Sequence, residues 1–346
     1  MQLPQHILVI RFSAMGDVAM TVPVIKNVLQ QNPQLQITVV SNALFQPLFA
    51  GIERCNFYPA YLKKQHSGTA GIFRLYKELK QVAKFTAVAD LHSVLRSTLL
   101  TLFFSISGYR NAGIDKGRKE KKALTRKENK VFKPLTTTHE RYAQVFRQLG
   151  FVADISNQLP VFSAKAIPVS AACIFESGKK IIGVAPFAQY TEKMYPIEKM
   201  KAVVQDLTNE GNTVLLFGGG ENESAILQQW AGEIIGVYNM AGKFSFAEEL
   251  ALISNLDVMI SMDSANMHLA DLFGIPVVSI WGATHPYAGF TAWAQLPENI
   301  VQATLYCRPC SVFGNKPCYR GDHACMNMIT QQMIVEKITN SLFLFF

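Results

Sequence analysis

The chain has 346 residues, which is long enough for two domains of ordinary size. Hydrophobic residues make up 49% and charged residues 17%, a composition that excludes a disordered chain and supplies ample apolar side chains for packed cores. The stretch MQLPQHILVI lacks the basic start and long apolar run of a signal peptide, and no apolar run is long enough to span a bilayer. We therefore expect a cytoplasmic protein.

The net charge of +8 is concentrated between residues 110 and 133, where ten cations accompany three carboxylates. Such a run is either a solvated loop or a patch for an anionic partner, a membrane surface included. No aromatic residues interleave the core of the run and no nucleic-acid motif accompanies it, so we do not expect nucleic acid as a partner.

Short Val- and Ile-rich runs alternate with amphipathic segments of helix length along the whole chain. In the first half this predicts strands at 6–12, 35–41 and 85–91 and helices at 17–31, 72–83, 93–106 and 138–149. In the second half it predicts strands at 180–186, 213–219, 257–263 and 276–282 and helices at 196–210, 222–231, 245–254 and 264–273. The alternation predicts two doubly wound α/β domains with parallel sheets. The weakly periodic stretch 156–170, with two prolines, is the candidate linker.

Ligands of doubly wound sheets bind beyond the carboxyl ends of the strands, so residues that follow each strand are the site candidates. After the first strand, RFSAMGDVAM places Asp17 where a helix begins, either as a capping acid or as a base beside an anion site. After the strand at 85–91, Arg96 lies one turn into a helix at the same sheet edge.

In the second half, Lys193 follows the strand at 180–186 and either neutralises a diphosphate or is a surface lysine. Asp263 and Ser264 stand where the next helix begins, and they either cap that helix or frame a phosphate site at its N-terminus. His268, four residues past Ser264, shares its helix face, as a ligand-facing or a half-buried core histidine. The glycines at 218–220 permit a close ligand approach, and a tight turn explains them equally well.

Four of the six cysteines lie within nineteen residues near the C-terminal end: Cys307, Cys310, Cys318 and Cys325. Four thiolates at this density are enough for a structural tetrahedral zinc site. The alternative is a set of reduced, packed thiols.

Together these segments resemble the ADP-heptose–lipopolysaccharide heptosyltransferases of glycosyltransferase family 9, almost from end to end. RFSAMGDVAMTVPVI resembles the family's Gly-Asp opening, DLHSVLRS its Asp-x-x-x-x-x-Lys/Arg-Ser segment, and APFAQYTEKMYP the segment with its phosphate-binding lysine. MDSANMHLADLFGIPVVSIWGATHP resembles the signature Asp-Ser-Gly-x-x-His-x-Ala-x-x-x-Gly-x-Pro, with Ala265 in place of the usual glycine.

The resemblance implies a GT-B fold, in which two Rossmann-like domains face each other across a cleft. We expect an acceptor-binding domain over 1–165, a nucleotide-sugar-binding domain over 170–327, and a C-terminal helical segment over 328–346 that packs back towards the first domain. The implied reaction is inverting, metal-independent transfer of a heptose from ADP-heptose to a lipopolysaccharide core acceptor of the lipid A–Kdo type. The alternatives are another nucleotide-sugar or glycan acceptor, or a non-catalytic nucleotide-sugar-binding scaffold. A nicotinamide-dependent oxidoreductase is disfavoured because neither half carries G-x-G-x-x-G after its first strand.

The resemblance also implies residue roles, with Asp17 as the catalytic base. Donor and diphosphate binding is expected of Thr191, Lys193, Glu223, Asp263, Ser264, Ala265 and His268. Acceptor binding is expected of Ser13, Gly16, Arg96, Lys119, Lys121 and Lys122. The expected partners are a nucleotide-diphosphate sugar, an anionic glycolipid and, peripherally, the inner membrane leaflet; no metal is needed for catalysis.

Overall fold

The computed structural model describes residues 5–343, which form two compact α/β units. The first unit comprises the chain up to Lys116 together with Thr138–Gln158, and the second comprises Gly117–Thr137 and the chain from Leu159 onwards. Most of the basic run at 110–133 therefore belongs to the second unit. Residues 1–4 and 344–346, which the predicted first and last segments include, lie outside the described residues.

The first unit is built on a five-stranded parallel sheet, and the strands follow the order β3-β2-β1-β4-β5. The strands are β1 (Gln5–Ile10), β2 (Leu35–Asn42), β3 (Cys55–Ala60), β4 (Ala87–Asp90) and β5 (Arg110–Gly113). The central strand β1 has the sequence QHILVI, and its last four residues are fully buried, as expected for a strand covered on both faces. Its residue Ile10 pairs with Asp90, so β1 and β4 end side by side.

Six helices lie between residues 15 and 148: α1 (Met15–Ala19), α2 (Thr21–Gln31), α3 (Gly68–Val82), α4 (Leu95–Ile106), α5 (Arg118–Leu124) and α6 (Thr138–Gln148). Helix α5 belongs to the second unit. Helix α3 packs against α4, and both contribute to a core that includes Leu8 and Ile10. Helix α2 packs against α6. The predicted helix at 17–31 is therefore two helices, which separate at Met20.

The second unit contains a six-stranded parallel sheet, and its strands follow the order β11-β10-β9-β6-β7-β8. The strands are β6 (Ile181–Ala185), β7 (Thr213–Leu216), β8 (Val237–Asn239), β9 (Val258–Met262), β10 (Val277–Trp281) and β11 (Ile300–Gln302). Here Ala185 pairs with Ser261, so β6 and β9 end side by side. The prediction of two parallel-sheet α/β units is thus confirmed.

The helices of this second stretch are α7 (Ala172–Phe175), α8 (Ile197–Asn209), α9 (Gly220–Glu233), α10 (Phe246–Ile253), α11 (Ala265–Asp271), α12 (Ala324–Asn327) and α13 (Gln331–Phe343). Helix α13 packs against α8 and inserts Ile334 and Ile338 into the core of the second unit. The expected contact of this helix with the first domain stays a prediction. Within residues 5–343, no helix is both long enough and apolar enough to cross a membrane.

The alternation pattern did not predict β3, β5, β8 and β11, and these four strands are the edges of the two sheets. An edge strand has a neighbouring strand on one side only and is less buried than a central strand. Its sequence therefore carries no continuous apolar run. Strand β3 even contains Pro59, which an edge strand tolerates because its outer N–H positions need no partner.

Gly183 in the central strand β6 offers a test of how tightly the second core is packed. An added Cβ would lie 2.5 Å from Cδ1 of the buried Leu256 and 3.0 Å from Cε of Met259. We expect Gly183→Ala to lower the free energy of unfolding by about 1–3 kcal/mol because both side chains must move. Gly232→Ala, in exposed α9 with open space around it, should instead raise it by about 0.5–1 kcal/mol. Urea unfolding measures both, and a Gly183→Ala protein as stable as the parent would contradict the packing.

Candidate functional site

Both sheets reverse their strand order at one point, between β1 and β4 in the first and between β6 and β9 in the second. The connections on the two sides of such a point cover opposite faces of the sheet, so the loops part and leave room for a ligand. The predicted catalytic residue and most predicted donor residues follow these four strands. We therefore describe the two edges in turn.

At the first edge, Asp17 lies in the first turn of α1 and is paired with Arg11. Arg11 Nη2 is 2.7 Å from Asp17 Oδ2, and Arg11 Nη1 donates a hydrogen bond of 2.8 Å to the carbonyl of Leu91. The guanidinium is buried, whereas the carboxylate is about one third exposed. Arg11 therefore ties the Asp17 carboxylate to the chain that leaves β4, a partner that the sequence reasoning missed although Arg11 opens the same motif.

His92, two residues past β4, is also part of this edge. Its Nδ1 accepts a hydrogen bond of 3.3 Å from the Phe12 amide, so the proton of the neutral ring is on Nε2. Burial, together with the positive charges of Arg11 and Lys116, lowers the pKa of His92 to about 3 against the opposing effect of Asp17. His92 is thus a neutral N–H donor near the Asp17–Arg11 pair, and the sequence reasoning gave it no role.

Asp90 organises the turn between β4 and α4. Its Oδ1 accepts the amides of His92 and Ser93, and its Oδ2 accepts the hydroxyl of Ser97. This buried carboxylate is therefore a structural cap of the turn. Arg96, which follows the turn, is exposed at the same edge of the sheet. Ser13 is exposed in the segment that joins β1 to α1, and Gly16 is half-buried in the first turn of α1, so both predicted acceptor residues lie within four positions of Asp17 in the chain.

At the second edge, Lys193 and Asp263 form an ion pair. Lys193 Nζ is 3.0 Å from Asp263 Oδ2, and both side chains are largely buried. Lys193 ends a short 3-10 turn that begins at the exposed Thr191, and Asp263 follows β9 directly. The pair therefore joins the loops after β6 and β9, and the structure brings together two residues that the sequence placed seventy positions apart.

Helix α11 starts immediately after Asp263. Its N-cap residue Ser264 makes no capping hydrogen bond, because its hydroxyl lies 3.1 Å from that of Ser261 instead. The amides of the first turn, beginning at the half-buried Ala265, thus lack a cap from this side chain. His268 is buried one turn further along the same helix.

Glu223 has a different local role from the one predicted. Its Oε2 accepts a hydrogen bond of 2.8 Å from the Gly219 amide, so it caps the N-terminus of α9, its own helix. The glycines at 218–220 left a ligand approach and a tight turn equally open, and this cap is consistent with the tight turn. Donor binding by Glu223 stays a prediction.

The segment 307–325, which carries the four clustered cysteines, packs on the loop that presents Lys193. A Cβ on Gly314 would lie 2.3 Å from Lys193 Cγ, which means that the glycine backbone touches the lysine stem. His323 Nδ1 is 3.2 Å from Glu192 Oε2 in the same loop. The cysteine-bearing segment is therefore part of the wall behind Lys193.

Two cations, the half-buried Lys130 and the buried Arg308, hold the start of this segment. Lys130 Nζ lies 2.9–3.2 Å from the carbonyl oxygens of four consecutive residues, which are Tyr306, Cys307, Arg308 and Pro309. The Arg308 guanidinium donates to the carbonyls of Gly282, Ala303 and Thr284, and its burial lowers the pKa of this side chain to about 10. Backbone carbonyls thus replace the water around both charges.

The four clustered cysteines are free thiols, two buried and two half-buried. Across residues 5–343, no group of three or more His, Cys, Asp or Glu side chains is arranged to hold a metal ion. The structural zinc site and the set of packed, reduced thiols both stay predictions.

The basic run does not form one patch. Lys121 is buried and its Nζ lies 4.2 Å from the Phe290 ring centroid, and Lys127 Nζ lies 4.5 Å from that of Tyr319. Together with Lys130, these cations fasten the run to the second unit. Lys119 and Lys122 are exposed, so of the predicted acceptor-binding lysines these two remain open to solvent.

Comparison with known proteins gives a consistent result. The sequence model for "Glycosyltransferase family 9 (heptosyltransferase)" matches residues 72–317. Lipooligosaccharide heptosyltransferase 2 of Campylobacter jejuni is 25% identical over 209 residues, which are 58% of this chain and 65% of that protein, so the match spans less than two thirds of the relative. The lipopolysaccharide core heptosyltransferase OpsX of Haemophilus influenzae is 23% identical over 288 residues, 82% of this chain and 81% of that one.

In the solved structures, the Escherichia coli ADP-heptose lps heptosyltransferase II has the same fold. Its TM-score is 0.69 at 18% identity, over 98% of this chain and 99% of that one. The two-sheet arrangement described above is therefore shared over nearly the full length of both chains.

The environment of His92 predicts a pH effect on stability. Its pKa is lowered from 6.5 to about 3 in the folded chain, so between these values the unfolded chain binds more protons and stability rises with pH. We expect the free energy of unfolding to rise less steeply from pH 4 to 6.5 in His92→Gln than in the parent. Urea unfolding across this range gives the slopes, and NMR of the imidazole gives the pKa. A ring that titrates near pH 6.5 would contradict the geometry.

Proposed function

Because this chain belongs to glycosyltransferase family 9, we propose that it transfers a heptose from ADP-heptose to a lipopolysaccharide core acceptor of the lipid A–Kdo type. The transfer inverts the anomeric centre and uses no metal. The observation that carries the proposal is that Asp17 and the Lys193–Asp263 pair stand at the two switch points of the sheets. The relatives' names supply the sugar and the acceptor.

Asp17 is the base in this proposal. The acceptor hydroxyl oxygen bonds to the anomeric carbon as the bond from that carbon to the β-phosphate oxygen breaks, and the electron pair leaves with ADP. The hydroxyl proton passes to the Asp17 carboxylate. Arg11 orients this carboxylate through its 2.7 Å contact, and the partial exposure of Asp17 leaves room for the incoming hydroxyl.

Lys193 and α11 stabilise the departing diphosphate. The diphosphate gains negative charge as the glycosidic bond breaks, and fixed positive groups aimed at it lower the barrier. Lys193 supplies a full charge, His268 a ring N–H, and the uncapped first turn from Ser264 and Ala265 supplies amide dipoles. In the bound state the diphosphate takes over the Lys193 contact that Asp263 makes here, with Thr191 and Glu223 placed towards the nucleoside.

The acceptor is anionic, and we assign its phosphates and acidic sugars to Arg96, Lys119 and Lys122, with Ser13 and Gly16 beside the reacting hydroxyl. Lys121 is left out of this set because its charge lies over Phe290. The reaction takes place at the cytoplasmic face of the inner membrane, where such an acceptor is held in a lipid leaflet.

Asp17→Asn tests the base assignment. The amide keeps the size of the carboxylate but takes up no proton, so we expect kcat to fall by about 10²–10⁴-fold with ADP affinity within twofold of the parent. Turnover is measured with ADP-heptose and a lipid A–Kdo acceptor, with and without EDTA, and NMR of the product gives its anomeric configuration. Glu53→Gln, an exposed carboxylate of the first unit, is the control. A fully active Asp17→Asn would remove Asp17 as the base, and loss of activity in EDTA would refute the metal-free step.

Lys193→Ala and Gly314→Ala test the donor site. Removing the charge should weaken ADP binding by about 10–100-fold in calorimetry, because a charge-assisted contact is lost. Gly314→Ala should weaken it in the same direction, because its Cβ would displace the lysine stem. Gly321→Ala is the matched control. The backbone φ of Gly321 is +77° and that of Gly314 is +75°, so an alanine strains the backbone alike at both positions, but a Cβ on Gly321 meets open space. Unchanged ADP affinity in Lys193→Ala, or equal losses in both glycine variants, would contradict the assignment.

Tighter binding of UDP, GDP or dTDP than of ADP in the same calorimetry would keep the fold and change the donor. Binding of a nucleotide without turnover would support a scaffold instead.

A further inference from the structure

Helices α3 and α4 expose apolar side chains that a soluble surface would normally cover. Leu95 is 87% exposed, Ile106 75%, Leu102 49%, and Phe73 on α3 41%. Positions 95, 102 and 106 recur at intervals of seven and four, so they form a stripe along one face of α4. We call Phe73, Leu95, Leu102 and Ile106 together the α3–α4 surface.

The two helices present one continuous surface. The Phe73 ring meets Phe103 of α4 edge-on at 5.2 Å between centroids, and Phe103 lies 5.7 Å from Tyr76. These rings bridge the α3–α4 contact, and therefore the apolar stripe of α4 extends onto α3.

The stretch of chain that carries this surface is strongly positive. The cations between residues 61 and 109 are Lys63, Lys64, Arg74, Lys77, Lys80, Lys84 and Arg96, and all are exposed. The same range contains two carboxylates, Asp90, which is buried under three hydrogen bonds, and Glu78, which accepts hydrogen bonds from His66 and Tyr58. Lys77 and Lys80 lie over the rings of Phe73 and Tyr76.

A positive rim around an apolar stripe matches an anionic lipid leaflet, where apolar side chains enter the boundary of the acyl chains and lysines reach the headgroups. A second copy of the chain is a poor occupant, because a two-fold contact would set these cations against one another.

The stripe begins at the sheet edge that carries Asp17. Strand β4 ends beside β1, and Leu95 starts α4 five residues after that end. We propose that the α3–α4 surface docks the first unit on an anionic membrane, which sets the Asp17 edge at the level of the lipid headgroups. The link to a lipid-borne acceptor rests on the proposed function, whereas membrane binding itself does not.

Vesicle co-sedimentation of the full chain tests the inference, with vesicles of phosphatidylcholine alone or with phosphatidylglycerol and without any glycolipid acceptor. We expect binding to the anionic vesicles that weakens with salt. Leu95→Ser combined with Ile106→Ser should reduce it by at least about tenfold, because the inserted apolar area is lost. Lys77→Gln combined with Lys80→Gln should reduce it by about tenfold and flatten its salt dependence.

Matched controls lie on the second unit. Val169→Ser with Ile235→Ser removes two apolar side chains of 94% and 96% exposure, and Lys179→Gln with Lys243→Gln removes two exposed lysines; both proteins should bind like the parent. Thermal unfolding and ADP titration of every variant show that fold and donor site are intact.

Three outcomes would overturn the inference. The parent protein does not bind anionic vesicles, the α3–α4 variants bind them as well as the parent, or the control variants lose as much binding as the α3–α4 variants. A concentration-dependent dimer abolished by the α3–α4 variants, without vesicle binding, would assign the surface to a second copy. The vesicles contain no acceptor, so vesicle binding does not depend on the proposed reaction. A protein that binds vesicles but neither binds ADP nor transfers a heptose would contradict the proposed function and still support this inference.

Discussion

The topological switch in each parallel sheet is the constraint on which the rest of this structure depends. Crossover connections between parallel strands are right-handed. When the strand order reverses direction, the connections that follow therefore cover the opposite face of the sheet. Between β1 and β4, and again between β6 and β9, neighbouring strands end together while their continuations part. The loops that follow these strands leave room for a ligand at that point, and the charged side chains of the candidate site lie there.

The charges at these two points are held in the same way. At each, a cation and a carboxylate form a pair: Arg11 with Asp17, six residues apart in the same motif, and Lys193 with Asp263, seventy residues apart. Burying a lone charge is strongly unfavourable, so each member keeps its position because its partner is there.

Behind the second pair lies a layer built from cations and carbonyl oxygens. Lys130 and Arg308 together bind backbone carbonyls that precede the cysteine-bearing segment or lie at its start, and the segment then rests against the stem of Lys193. This arrangement explains why a conspicuously basic run is associated with the second unit: part of its charge is used internally. The positive surface that remains exposed on the first unit lies elsewhere, on α3 and α4.

Much of the fold was readable from the sequence, because central strands of parallel sheets must be apolar throughout and their helices amphipathic. The edge strands were not readable, since half-covered strands such as β3 and β5 carry no such signal. The positions of Asp17, Lys193 and Asp263 followed from their place after predicted strands. Their partners did not. Arg11 lies in the same motif as Asp17, but its contacts depend on how the chain turns after β1, and His92 and Gly314 act through contacts between segments that are distant in sequence.

The same distinction separates the charge and cysteine patterns from their roles. Composition located the basic run and the four cysteines, but a side chain's role depends on what it touches after folding. Packing turned Lys130 into a backbone anchor, left the thiols without metal-binding geometry among the described residues, and exposed an apolar stripe on a helix that the sequence alone would bury. Local sequence determined which elements form and where their ends lie. Only the tertiary structure decided which side chains at those ends form ion pairs.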